Sequence, residues 1–206
     1  VNSSYKKYSQ VAARSGLTGA QAASRLISSS GLFQVRVETV RGNLTDHYDP
    51  RSKTLRLSAG VAQSPSVAAL AISAHELGHA MQDAENYFPL RLRAALVPAV
   101  NIGSYLGWIL IFIGLMLRMT DLAWLGVIVF AGGAVFALAT LPVELNASAR
   151  AKQMLTNSGM IISEEERQGV NRVLNAAALT YVAGLVTAIM QLLYFVSLVG
   201  GSSRRR

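Results

Sequence analysis

Three stretches of the 206-residue chain run without a single charged side chain: Ala94–Leu117, Leu122–Val143 and Val173–Ser203. Each reaches the roughly 20 apolar residues that a helix needs to cross about 30 Å of hydrocarbon. One such run can be a buried core helix, but three are hard to hide in a chain of this length. The pattern therefore predicts three membrane spans, at about 94–117, 122–143 and 174–200. Pro98, Asn101 and Pro142 fall within these runs or at their edges. Neighbouring helices can satisfy the carbonyls that a proline frees. Tyr105, Trp108, Trp124 and Tyr194 add amphipathic aromatics of the kind found near membrane interfaces.

The polar positions lie mostly in residues 1–90, which read as a water-facing α+β part, and the spans place residues 91–206 in a membrane part. Tyr5–Ser15 is a candidate helix. Thr18-Gly19-Ala20-Gln21 has the form of a capping box, opening a helix that stops before Gly31. Phe33, Val35, Val37 and Thr39 alternate with Gln34, Arg36 and Glu38, which is strand patterning. Gly42-Asn43 and Asp49-Pro50-Arg51-Ser52 signal turns, and Thr54–Leu57 reads as another short strand. An alanine-rich apolar segment follows, Val67–Ala84, with Ser64 as its expected N-cap and Pro65 as its first helical residue. Residues 149–172 form a soluble helical connection between the second and third spans, with a capping box at Ser163-Glu164-Glu165-Glu166.

Composition supports the membrane reading: 51% of residues are hydrophobic, 15% are charged, and the mean hydropathy is +0.35. The net charge of +8 and pI of about 10.2 raise the question of nucleic acid. The basic residues are dispersed, however, and no basic helix or aromatic-interleaved patch appears, so no nucleic-acid partner is expected. Anionic lipid headgroups account for the surplus better. The Arg204-Arg205-Arg206 tail reads as a membrane-surface anchor or a chain-end feature.

Inside the alanine-rich segment stands His75-Glu76-Leu77-Gly78-His79, an H-E-x-x-H motif that takes two of the chain's three histidines. Residues four apart sit one turn above each other on a helix, so two imidazoles can grip one metal from one side. Zinc suits that arrangement, since it accepts imidazole nitrogen and carboxylate oxygen in a tetrahedral shell. Glu76 then has the place of a general base that takes a proton from a zinc-bound water. Gly78 is a poor helix former beside the site, which close approach of another backbone would explain.

A hydrolytic zinc site needs a third protein ligand and one open position. The chain has no Cys, and its other histidine is His47. A metzincin-like extension would need Gly at position 82 and His at position 85, where the chain has Gln82 and Glu85. That leaves a distant carboxylate, and the best candidate is Glu144, at the end of the second uncharged run. A carboxylate there is expensive unless it is paired or metal-bound. The alternative is that Glu144 marks the polar boundary of a membrane helix. Residues 144, 147, 148 and 151 share one helical face, and Ala147, Ser148 and Ala151 are small enough to let the motif helix pack close. His47 and Tyr48, in a hairpin before the motif helix, and Ser148, beyond Glu144, are candidate groups for supporting the ligands or the transition state; for His47 and Tyr48 the alternative is to cap a turn or sit on a solvated strand.

Leu44–Pro50, Ala74–Ala84, Leu141–Glu144 and Val173–Tyr181 together resemble the bacterial YugP-type neutral zinc metallopeptidases, over nearly the whole chain. The resemblance implies a multi-pass membrane zinc metalloendopeptidase, a Glu-ligand zincin related more distantly to HtpX-type and CAAX-prenyl proteases. It also implies that Glu144 is the third zinc ligand. HtpX-type enzymes carry Asp four residues after that Glu. Here the position is Ser148, so that outer acid is absent. Members usually open with a further hydrophobic helix, whereas this chain opens on Val1-Asn2-Ser3-Ser4.

The expected fold is thus a mainly α membrane protein with a small α+β zincin-like subdomain, its H-E-x-x-H helix packed against membrane helices. The expected chemistry is peptide-bond hydrolysis near the bilayer surface, on membrane-associated polypeptides, with the Thr54–Leu57 strand as an edge for an extended substrate. A rival from another class is a non-catalytic membrane zinc protein that binds a partner. A site-2-type intramembrane protease is a poorer match, because Asp83 and Glu85 follow the motif closely. Arg91, Arg93, Arg150, Lys152, Arg167 and Arg172 lie near the span ends on the catalytic side, against Arg118 and Arg204–Arg206 opposite. By the positive-inside rule the catalytic side is expected to be cytoplasmic.

Overall fold

The computed structural model describes residues 2–203, so the Arg204–Arg206 tail lies outside the described residues. Backbone contacts divide the chain into two compact units. The first combines the chain up to Tyr87 with Val143–Thr180, and the second combines Phe88–Pro142 with the chain from Tyr181.

The first unit opens with α1 (Asn2–Ser9) and α2 (Gly19–Ser29). The predicted helix over Tyr5–Ser15 stops at Ser9, because tertiary pairing claims the next residues. Val67 donates its backbone N–H to the Val11 carbonyl and Ala13 donates to that of Pro65, each at 2.9 Å. The capping box of α2 forms as expected: Thr18 Oγ1 accepts from the Gln21 N–H, and Gln21 Oε1 accepts from the Thr18 N–H. Gly31, at φ +69°, ends that helix in the left-handed region that glycine tolerates.

A three-stranded sheet follows, β1 (Arg36–Val40), β2 (His47–Asp49) and β3 (Thr54–Ser58), in the order β1-β3-β2. β1 starts later than the alternation from Phe33 predicts, because Val35 N–H turns back onto the Leu32 carbonyl and pairing begins at Arg36↔Thr54. β2 and β3 form the expected antiparallel hairpin, while β1 runs parallel to β3. The central place of β3 corrects one expectation. Thr54–Leu57 is hydrogen-bonded on both sides and has no free edge to offer a substrate. The open edges belong to β1 and β2, and of these β2 packs against the motif helix.

After the short α3 (Ala59–Ala62) comes the motif helix, α4 (Val67–Ala84). Its N-cap is Ser66 rather than Ser64, with Ser66 Oγ accepting from the Ala69 N–H at 3.2 Å. The carbonyl of Pro65 is held by Ala13, so the helix starts two residues later than the proline suggests. The core of this unit gathers Leu26, Leu55, Leu57, Leu70, Leu77 and Leu155, all essentially inaccessible. Fully burying each leucine is worth about 1.5–3 kcal/mol.

The remaining helices are α5 (Phe88–Met116), α6 (Thr120–Asn157) and α7 (Glu164–Ser203), and all three are long and apolar enough to cross a membrane. α6 and α7 contain the second and third predicted spans, and α5 covers the first up to Met116. The 149–172 connection is the end of α6, a short loop and the start of α7. Its capping box is present, and Glu166 also accepts the Arg14 backbone N–H at 2.7 Å, which ties the start of α7 to the segment between α1 and α2. In the second unit, Phe195 packs edge-to-face on Trp108 and Phe130, with ring centroids 4.8 and 5.0 Å apart. Ile102, Phe112 and Ile128 are largely exposed there, an apolar surface suited to lipid rather than water.

Candidate metal centre

The site lies wholly within the first unit. α4 presents His75 and His79 one turn apart, their rings edge-to-face with centroids 4.9 Å apart. Facing them is Glu144 on α6, only 2% exposed. Glu144 Oε2 lies 3.2 Å from His75 Nε2 and 3.5 Å from His79 Nε2. Among the described residues, these three form a group of potential metal ligands whose donor atoms all lie within 4.8 Å of one another.

The approach of the two helices is set by small residues. A Cβ on Gly78 would stand 2.5 Å from the Ala147 carbonyl oxygen, so only glycine permits this contact. Ala147, Ser148 and Ala151 are buried on the facing side of α6. These small side chains bring the α6 backbone close enough for a glutamate to reach both imidazoles.

The donor set fits zinc. Ligands at about 2.0–2.1 Å in a tetrahedron are separated from one another by about 3.3 Å. The observed carboxylate–imidazole separations of 3.2 and 3.5 Å bracket that spacing. Two imidazoles and one carboxylate also leave one tetrahedral position for water or substrate, as a catalytic site requires.

Each imidazole has a partner on its other nitrogen. Ser148 Oγ lies 3.2 Å from His75 Nδ1, and Gln82 Oε1 lies 3.0 Å from His79 Nδ1. Glu76 is partly buried next to the first ligand. Burial raises its carboxyl pKa, and the adjacent imidazoles only partly oppose this. Burial lowers the pKa of His79, but the Glu144 and Glu76 carboxylates outweigh it, and the net shift is upward.

The structure therefore brings together His75, Glu76, His79, Glu144 and Ser148. His47 is exposed, its Nδ1 2.8 Å from the Thr45 carbonyl, and stands outside the ligand group. Tyr48 points its hydroxyl at Asp83 on α4, 2.7 Å away, and Lys53 pairs with the same carboxylate. Burial, and then that hydrogen bond, push the Tyr48 pKa far up. Both residues thus serve the hairpin and its seat on α4. Sequence reasoning passed over Gln82 and Asn146, whose amides meet at 2.9 Å. The available signal was a glutamine one turn beyond His79, on the helix face that carries both histidines.

Residues 1–200 match the profile of a family described as "Putative neutral zinc metallopeptidase". The chain is also 47% identical over 196 residues to a Bacillus subtilis (strain 168) protein described as "Putative membrane protease YugP". That match covers 95% of this chain and 87% of the relative. No solved structure matches it.

Proposed function

We propose, from the premise that this chain belongs to the neutral zinc metallopeptidase family, that it is a membrane-bound endopeptidase using one zinc ion held by His75, His79 and Glu144. The observation that carries the proposal is the convergence of the Glu144 carboxylate on both motif imidazoles with Glu76 alongside. When bound, zinc acts as a Lewis acid that polarises the scissile carbonyl and lowers the pKa of an attacking water.

Glu76 is the general base. Its raised pKa suits a group that must take up a proton from the water and then release it to the leaving amine. Ser148 and Gln82 hold the two imidazoles from their far sides. The open edge of β2, beside α4, is the place for an extended substrate to add as a further strand. Glu144 follows directly on the second uncharged run, which supports a site at the bilayer surface and membrane-associated polypeptides as substrates. The lipid bilayer is the other partner, and no nucleic acid is involved. A non-catalytic zinc factor has no observation in its favour, since the base is retained beside the metal ligands.

The test is metal removal. Detergent-purified protein should cleave an unstructured polypeptide such as casein, lose that activity to a chelator, and regain it with stoichiometric zinc. Activity that survives complete zinc removal would refute the proposal.

Charge also supports a reading of sidedness. The basic residues around the catalytic side favour a cytoplasmic site. Ser52, exposed in the β2–β3 turn, reports on it, because the chain has no other cysteine to label. In intact cells Ser52→Cys should resist a membrane-impermeant thiol reagent and react only after lysis. Labelling of intact cells would put the site outside.

A further inference from the structure

The Gln82 side chain is fully buried. It lies between the two ligand-bearing helices and bonds to both. Its Nε2 donates to the Val143 carbonyl at 2.8 Å and to Asn146 Oδ1 at 2.9 Å, while its Oε1 faces His79 Nδ1 at 3.0 Å.

The chemistry of the partners fixes which end of each amide faces which neighbour. A backbone carbonyl only accepts, so the end of the Gln82 amide facing Val143 must be the NH2. The arginine guanidinium only donates, and Arg150 Nε lies 2.7 Å from Asn146, so Asn146 must present its oxygen there. That oxygen accepts from Gln82 as well and fixes the amide a second time. Arg150 is itself held by Glu85 through two bonds, at 2.7 and 2.6 Å. With Gln82 so oriented, its oxygen meets His79, and His79 Nδ1 must carry the hydrogen. In the neutral imidazole that binds a metal, the lone pair of His79 is then on Nε2, the nitrogen 3.5 Å from Glu144. That nitrogen and the carboxylate oxygen are held together by a cation between them, either the Nε2 proton of the imidazolium or a metal ion that replaces it.

We infer that Gln82, oriented by Val143 and by the Glu85–Arg150–Asn146 chain, is a positioning residue that fixes His79 as an Nε2 metal ligand and locks α4 to the backbone next to Glu144. This rests on the zinc reading above and goes beyond it by assigning the outer support of one ligand. Such outer partners typically account for about 10- to 100-fold in metal affinity. Val143 immediately precedes Glu144, so the same amide holds both the imidazole and the approach of the carboxylate.

The test uses the full chain in detergent, with zinc itself as the probe. Gln82→Met keeps the length of the side chain and removes both of its polar ends. Chelator competition should show zinc binding about 10- to 100-fold weaker than wild type. In nitrogen-15 spectra of the zinc-loaded wild type, His79 should bind through Nε2 and show a slowly exchanging Nδ1–H. With only three histidines in the chain, His47→Asn helps assign the signals. In Gln82→Met the slow Nδ1–H should be lost, a change that a purely structural role for Gln82 would not produce. Wild-type zinc affinity in a folded Gln82→Met protein would overturn the inference. So would a wild-type spectrum with His79 bound through Nδ1, a result that stands even if the variant does not fold. Failure to cleave peptides would count against the peptidase reading and leave both readouts intact.

Discussion

Glu76→Gln is expected to keep the fold and the bound zinc while peptide hydrolysis falls by about 100- to 10,000-fold, the range general acid–base catalysis supplies. The substitution preserves shape and removes only the capacity to accept a proton. Glu76 is not among the three converging ligands, so zinc stoichiometry should be unchanged. Its carboxyl already bears a burial penalty that raises its pKa, and a neutral amide there avoids that penalty. The variant should therefore melt no lower than wild type. Zinc content, melting temperature and turnover measured on one preparation decide the matter. Wild-type turnover in a zinc-loaded Glu76→Gln protein would remove Glu76 from the mechanism.

For Glu144→Ala the expected loss is in the metal. With the carboxylate gone, two imidazoles on one helix are left to hold the ion, and three protein ligands are the rule for a catalytic zinc site. Affinity should fall by about 100-fold or more, beyond the usual effect of losing an outer partner. At saturating zinc, a 100-fold loss removes about 2.7 kcal/mol of zinc-linked stability. The zinc-dependent rise in melting temperature should shrink accordingly, and hydrolysis should vanish with it. Zinc affinity and turnover equal to wild type would exclude Glu144 from the site.

Much of this site is legible along the chain because its parts are local. His75 and His79 are four residues apart, and helix periodicity alone puts them on one face. Glu144 is visible for a different reason: a carboxylate at the end of an uncharged run needs a partner, and the chain offers few metal ligands. The membrane helices are legible from length and hydropathy, and the capping boxes at Thr18 and Ser163 from spacing. Gly78 announces a close contact, and its neighbour proves to be the backbone of Ala147 on the helix that carries Glu144.

Other features depend on groups far apart in sequence, and no local pattern encodes them. The first helix ends at Ser9 because Val11 and Ala13 bond to Val67 and Pro65, some fifty residues on. Thr54–Leu57 reads as a strand from its own residues, but its central place depends on where β1 and β2 dock. His47 and Tyr48 precede the motif closely, yet their side chains turn to Thr45 and to Asp83. The grouping of Val143–Thr180 with the first 87 residues is likewise tertiary, since it follows from small residues meeting across two helices. Sequence by itself determined the long apolar helices and picked out His75, His79 and Glu144 as candidate metal ligands, because periodicity, length and the cost of a lone buried charge act locally. Only the tertiary structure decided which atoms converge on the candidate metal site, because the orientation of each imidazole depends on partners such as Gln82 and Ser148, and the bonds that cross between α4 and α6 exist only once the two helices are packed together.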